Sequence, residues 1–429
     1  MTSVVELKSD EIGTWSAARP VRVALAGCGA VGSALLRELA ARRPALRERH
    51  GIEVTVTSVL VRDVARERRA PLDRTRLTAD LDAFLAAAAH ADVVIEAIGG
   101  LEPARRIAEW TLRSGRELVT ANKELLAACG SSLADAARRH GGTLRYDAAV
   151  GGGVPVLRML DDALGAGTPR AVRGILNGTT NFVLGRVERG ATVDDALRDA
   201  RDAGFAEADA SRDLDGRDAA AKIALVAWAA FGTAPEAVEV ERRSLLPDVA
   251  RYVELARCVG RSVRQVAECA LVDGELVARV EPLLVARDSA LAHTRDEGNR
   301  IEVHTGWSAP LCASGPGAGG APTATALLSD LLSPRVGAPQ RGRASRCSSD
   351  RRRFRWALGI RGAPVLLHRL VPACGLVHTN ADATEAWTLV DDESSADIDR
   401  LLVALTAEGA EPVAARLDDD ERGGAEQGS

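Results

Sequence analysis

Apolar runs and amphipathic stretches alternate through the first third of the chain at a regular spacing. Val21–Ala26 is a short apolar run with β-branched residues, and it leads into Gly27-Cys-Gly-Ala-Val-Gly32 and a helical stretch, Ser33–Arg43. Further strand patterns fall at 54–61, 91–98, 117–120 and 143–146, with helical patterns at Leu81–Ala89, Ala104–Ser114 and Leu125–His140 between them. A parallel crossover needs a helix on the face of the sheet, so this alternation predicts an α/β, Rossmann-type doubly wound parallel sheet.

The rhythm changes near residue 150. Val154–Leu164 reads as helix, Ala171–Leu176 as strand, and Thr192–Ala203 as helix. A turn-rich acidic stretch, Gly204–Gly216, then precedes a long apolar helix, Arg217–Phe231. Residues 235–310 carry strand and helix signals in no readable order. Gly315-Pro-Gly-Ala-Gly-Gly320 is a second glycine loop, followed by a helix, Thr323–Leu332. Eight arginines and one acid, Asp350, occupy 335–355, a composition that suits a linker. Beyond it, strands at 354–360, 376–379, 385–390 and 412–416 and helices at 363–374 and 396–408 spell a βαββαβ unit. The expected organisation is a polar tail (1–19), a dinucleotide-binding domain (20–150, with 315–333 returning to it) and an α+β domain (151–314). A basic linker (334–353), the βαββαβ domain (354–417) and a disordered tail (418–429) complete it.

Composition excludes several alternatives. The net charge is −5, from 55 basic and 60 acidic residues, which disfavours an electrostatic nucleic-acid binder. The arginine-rich stretch also carries a single aromatic, Phe354 at its end, and not a repeated interleaving. No apolar run is long enough to span a membrane, and Met1–Arg19 has no apolar signal core. Seven cysteines are scattered without a C-x-x-C pair, so a cytoplasmic protein without a disulfide framework or zinc site is expected.

The chemistry begins at Gly27-x-Gly29-x-x-Gly32, where Gly27, Gly29, Ala30, Val31 and Gly32 form a dinucleotide fingerprint between strand and helix. Glycines there let backbone N–H groups approach a pyrophosphate at a helix start. The second strand ends in Arg62-Asp63, and Arg66, Arg68 and Arg69 follow. An acid at that point would hold a ribose 2′-hydroxyl and an arginine would meet a 2′-phosphate. The arginines point to NADP, with NAD the alternative. Asp218 and Lys222 stand four apart at the start of an apolar helix, a spacing that puts them on one face. A lysine so placed is suited to proton transfer at a reacting oxygen, although the bare pattern equally fits a surface ion pair. Lys123, in Val119-Thr-Ala-Asn-Lys123, follows a parallel strand at the carboxyl edge, where ligands bind in such sheets. Ala149–Pro155 and Gly174–Asn181 are glycine-dense loops beside polar residues.

Seven motifs in order over about residues 20–333 resemble those of the monofunctional bacterial homoserine dehydrogenases. They are Gly27–Gly32, Asp92–Gly100, Val119–Lys123, Ala149–Pro155, Gly174–Asn181, Gly204–Asp209 with Asp215–Asp218 and Lys222, and Gly315–Gly320 with Pro322-Thr-Ala324. The resemblance implies NAD(P)-dependent interconversion of L-aspartate 4-semialdehyde and L-homoserine, a step toward threonine, methionine and isoleucine. It implies Lys222 as acid/base, Asp218 as its partner in holding substrate, and Lys123 in the active site near substrate and cofactor. It further implies Glu207 on the substrate ammonium, Thr179 in the substrate pocket and Gly319 near the cofactor. A monovalent cation such as sodium is implied on carbonyls of Val150, Gly152 and Val154 and on Asp147, which stands where the family usually has the longer glutamate. The resemblance makes 151–314 a catalytic and dimerisation domain, implies a homodimer or homotetramer, and makes the C-terminal unit an ACT-like domain. In that unit the family's acid before Pro-Gly is missing, and Gly359-Ile-Arg-Gly-Ala-Pro-Val365 stands in its place. Two other readings remain open on the sequence: a non-catalytic nucleotide-binding regulator, and an oxidoreductase acting on another amino-acid carbonyl.

Overall fold

The computed structural model describes residues 18–68, 70–166, 169–206, 209–305, 309–317, 319–333, 347–363, 365–371, 378–379 and 384–418. Six strands form one parallel sheet: β1 (Arg19–Ala26), β2 (Ile52–Leu60), β3 (Leu77–Thr78), β4 (Val93–Glu96), β5 (Glu117–Thr120) and β6 (Thr143–Arg145). Their order is β3-β2-β1-β4-β5-β6, the doubly wound arrangement read from the sequence. Strands covered on both faces need apolar residues at nearly every position, which is why β1 and β4 read as continuous runs. Helix Ala30–Ala41 and the returning helix Gly320–Leu332 share one apolar cluster against this sheet through Leu35, Leu36 and Leu327. Helices Leu81–Ala88, Ala104–Arg113 and Lys123–His140 contribute Phe84, Ile107 and Leu125 to a second cluster.

The second sheet is mixed. It takes in β7 (Ala171–Ile175), β8 (Val240–Arg242), β9 (Arg261–Val272), β10 (Glu275–Ala286), β11 (Gly298–His304) and β12 (Leu311–Pro316). β9 and β10 form a hairpin closed by Asp273-Gly274, both at positive φ (52° and 84°), as a two-residue primed turn requires. The C-terminal unit follows as β13 (Arg353–Arg361), helix Leu366–Leu370, β14 (His378–Thr379), β15 (Glu385–Ser394), helix Ser395–Ala407 and β16 (Glu411–Leu417). The whole sheet runs β12-β11-β7-β9-β10-β16-β13-β15-β14, with β8 pairing β10. The C-terminal strands therefore extend this second sheet, through parallel pairing of Leu283 with Arg416 and Leu284 with Leu417.

That junction holds a buried ion cluster. Arg416 reaches Glu268 (3.2 Å) and Glu281 (2.9 Å), Arg352 reaches Glu268 (3.0 Å), and Arg279 reaches Asp350 (2.5 Å). All three guanidiniums lie within 5.4 Å of the Phe354 ring centre. Burial opposes ionisation of Glu268, but the three arginines outweigh it and hold its carboxyl well below the usual range. Arg352 and Asp350 fall in the stretch expected as a basic linker; here Asp350 is buried and Arg352, half-exposed, pairs with it and with Glu268, while 334–346 lie outside the described residues. Asp418, expected to open the disordered tail, pairs with Arg173 at 2.9 Å, and residues 419–429 lie outside the described set. No described helix is long and apolar enough to cross a membrane.

Candidate active site

A cleft of about 530 Å³ opens at the carboxyl ends of β1, β4 and β5, where the strand order reverses. It is lined from both sheets, by Val31, Ile98, Gly99, Asn122, Lys123 and Gly319 on the nucleotide side and by Asn177, Thr179, Asp213, Asp218 and Lys222 on the other. Helices Ala30–Ala41 and Gly320–Leu332 start at Gly29 and Gly319 without a side-chain cap. Two uncapped helix starts direct N–H groups and positive dipole ends into one crevice, a setting suited to a pyrophosphate.

The three glycines of the first loop have different reasons. Gly27 sits at φ +101°, and a Cβ there would lie 2.5 Å from the Ala97 carbonyl oxygen. A Cβ on Gly32 would lie 2.1 Å from the Gly27 carbonyl oxygen. A Cβ on Gly29 would meet nothing within 4 Å, so that space is open for a ligand. Gly29→Ala is therefore expected to leave the melting temperature unchanged while weakening dinucleotide binding about tenfold to a hundredfold. Gly32→Ala should lower both, because the loop must move before any ligand arrives. Melting curves and fluorescence titration with NADPH separate the two, and equal effects of both variants would refute the distinction.

The charged constellation lies across the cleft. Helix Arg217–Phe231 begins after Gly216 and carries Asp218 in its first turn, where the helix dipole favours an anion. Lys222, one turn on, places Nζ 2.8 Å from Asp218 Oδ2 and donates to the Leu176 carbonyl at 2.7 Å. Lys123 approaches the other carboxylate oxygen, Oδ1, at 3.1 Å from the start of helix Lys123–His140. Asn177 donates to Asp218 Oδ2 (2.9 Å) and to Asp213 Oδ1 (2.7 Å). Burial pushes the Asp218 carboxyl up, but the Lys222 and Lys123 ammonium groups outweigh it and hold it far below the carboxylate range. Asp218 in turn raises Lys123 above the ordinary lysine value, against the opposing effect of burial. The i,i+4 pair is thus a buried cleft pair and not a surface one, with side chains only 13% and 12% exposed.

The other expected positions sort as follows. Thr179 lines the cleft and donates to the Phe205 carbonyl at 2.6 Å, anchoring the chain two residues before Glu207. Glu207 itself lies outside the described residues. Arg62 is exposed and makes no hydrogen bond or ion pair among the described residues, whereas Asp63 accepts from its own loop at Ala65 N (2.8 Å). Arg69 lies outside the described residues. Val150, Gly152 and Val154 form the buried turn beside Gly317. The Asp147 carboxylate accepts from Leu157 N at 2.9 Å and faces Arg158 Nε at 3.3 Å. Asn177 and Asp213 belong to motifs noted in the sequence, but the bridge that Asn177 makes between the Asp213 and Asp218 carboxylates is a tertiary fact. Glu96, Thr120 and Asn122, which brace the nucleotide side of the cleft, gave no separate signal.

A crevice built for a dinucleotide, facing two lysines on one buried carboxylate, is the arrangement of an NAD(P)-dependent oxidoreductase. The chain is 38% identical over 320 residues to the homoserine dehydrogenase of Mycobacterium leprae, covering 73% of this chain and 72% of that one. It is 32% identical over 315 residues to that of Bacillus subtilis, with the same two shares. The chain belongs to the homoserine dehydrogenase family. The family profile described as homoserine dehydrogenase, NAD binding domain, matches residues 27–147, and that described as homoserine dehydrogenase matches 155–332. Among solved structures, a homoserine dehydrogenase from Thiobacillus denitrificans superposes with a TM-score of 0.83 at 26% identity, over 94% of this chain and 99% of that one.

Proposed function

We propose that the chain interconverts L-aspartate 4-semialdehyde and L-homoserine, with Lys222 as the proton donor and acceptor at the reacting oxygen. The observation that carries this is the Lys123–Asp218–Lys222 array at the junction of the two sheets. When bound, the nicotinamide supplies or takes up the hydride at the substrate carbon. Lys222 Nζ is oriented by Asp218 and the Leu176 carbonyl, two acceptors that leave one of its three ammonium protons for the substrate oxygen. In the reducing direction that proton neutralises the developing alkoxide; in oxidation the amine takes the hydroxyl proton. Lys123 carries a second positive charge on the same carboxylate, at the boundary between the cofactor and substrate sides. Thr179 and Glu207 complete the reading as substrate contacts, Glu207 by a charge-assisted bond to the ammonium.

NADP is the proposed cofactor. Its support is that Asp63 is committed to its own loop while Arg62 is exposed and has no partner among the described residues. Arg62→Ala should raise the KM for NADP about tenfold to a hundredfold and leave NAD kinetics unchanged, the loss of a charge-assisted contact. The assay is homoserine oxidation followed by absorbance at 340 nm with each cofactor. Absence of turnover by folded enzyme would refute the reaction, and equal use of NAD with an inert Arg62→Ala would refute the preference.

For a monovalent cation, the side chain and the backbone fit differently. Asp147 already accepts from Leu157 N and faces Arg158 Nε at 3.3 Å, so its carboxylate is engaged within its own turn. The reading therefore rests on the carbonyls of Val150, Gly152 and Val154, where a cation would stiffen the turn between the two sheets. The C-terminal unit is read as ACT-like on its β-α-β-β-α-β order and its β16-β13-β15-β14 sheet.

A further inference from the structure

Glu96 closes β4 with its side chain fully buried and with no ion-pair partner among the described residues. Burying a carboxyl without a cation is costly, and an apolar residue would satisfy a strand end between two sheet neighbours equally well. The carboxyl is instead spent on three donors. Oε1 accepts from the backbone N–H groups of Ile98 (2.8 Å) and Gly99 (3.3 Å), and Oε2 accepts from the Thr120 hydroxyl (2.6 Å). Thr120 Oγ1 also accepts from Asn122 N at 3.0 Å. The Asn122 side chain then donates to the Gly100 carbonyl (2.7 Å) and accepts from Leu125 N (3.1 Å), capping the helix that begins with Lys123.

These bonds form a closed brace between the loop after β4 and the loop after β5. Its products are two walls of the cleft, Ile98–Gly99 on one side and Asn122–Lys123 on the other. We propose that Glu96 is a positioning residue for hydride transfer, holding the Ile98–Gly99 wall that seats the nicotinamide in fixed relation to Lys123. The inference rests on the reaction proposed above. Burial, which disfavours its charged form, makes the group sensitive to loss of any of its donors.

The test uses the full chain with Glu96→Gln, Thr120→Val and Thr120→Ser. Glutamine removes the oxygen that accepts from the Thr120 hydroxyl and puts a donor in its place, valine removes the hydroxyl, and serine restores it. For Glu96→Gln and Thr120→Val the expected result is a fall in kcat of about tenfold to a hundredfold, the cost of misplacing reacting groups by about 1 Å. The KM for homoserine should stay within about twofold, as befits a loss confined to the transition state. The primary isotope effect with homoserine deuterated at its hydroxyl-bearing carbon should rise, because hydride transfer becomes more rate-limiting. Bound NADPH should fluoresce less while its Kd changes little, since the pyrophosphate seat is separate. Thr120→Ser should recover wild-type values. If Glu96→Gln does not fold, Thr120→Val and its serine rescue decide the matter. Unchanged isotope effect and emission, with activity falling only as the folded fraction falls, would overturn the proposal. A folded wild-type enzyme inert toward homoserine would overturn the reaction instead.

Discussion

Lys222→Ala is expected to lower kcat for homoserine oxidation by about a hundredfold to ten-thousandfold, the usual worth of a positioned acid/base. The lysine lies at the bottom of the cleft, with Nζ fixed by Asp218 at 2.8 Å and by the Leu176 carbonyl at 2.7 Å. Alanine removes the proton carrier but leaves the helix, since alanine is the best helix former and Lys222 stands in the second turn. NADPH binding should persist, because the glycine loops are built on other elements. Asp218 would keep Lys123 as a cation partner, so the carboxylate is not orphaned. Circular dichroism and NADPH titration establish that the variant is intact, and stopped-flow absorbance at 340 nm measures the step. Turnover near wild type in such a variant would show that the proton travels by another route.

The same residue illustrates what the sequence carries and what it hides. The parallel sheet was legible because its central strands β1 and β4 are largely buried and lead into glycine turns, Gly27–Gly32 and Gly99-Gly100, before a helix. The Asp218–Lys222 spacing was legible too, as was the helix Arg217–Phe231 that bears it. Its burial was not, because whether an i,i+4 pair faces solvent depends on what packs over it. Asn177 meets Asp218 and Asp213 only through the fold, from 41 and 36 positions away in the chain. The region 235–310 was unreadable for a physical reason. β9 and β10 carry Arg264, Gln265, Glu268, Arg279 and Glu281 in the interior, which erases the apolar alternation expected of strands. One signal there was available: Asp273-Gly274 between two β-rich runs is a hairpin turn by chemistry alone. The C-terminal unit showed its element order but not its fusion to β10, since strand pairing across about 130 residues leaves no local mark.

Asp218→Asn has the second large expected effect, and its pH dependence gives the sharper test. In the wild type the two partners bracket a broad window. Asp218 is held below its ordinary value, so its stabilisation is present above about pH 3.9, the unfolded value, and is lost as pH falls through the lower folded value. Lys123 is held above its ordinary value, so its share is present below about pH 10.4 and is lost as pH rises through the higher folded value. Between those limits the pair contributes no slope. Asparagine keeps the shape and removes the charge, leaving two ammonium groups at the cleft without their shared counterion. Removing one partner of a buried ionic group costs about 3–5 kcal/mol. Burial of Lys123 then opposes only the weaker pull of Glu124 and Asp213, so its folded value drops below the unfolded one. The unfolded chain would bind more protons than the folded one, and stability must rise with pH. Urea unfolding at pH 7 and pH 9 is expected to show the variant's deficit against the wild type narrowing on the alkaline side. Parallel pH curves for the two proteins would mean that Asp218 does not hold Lys123 charged, and the assignment of the array would fall with it.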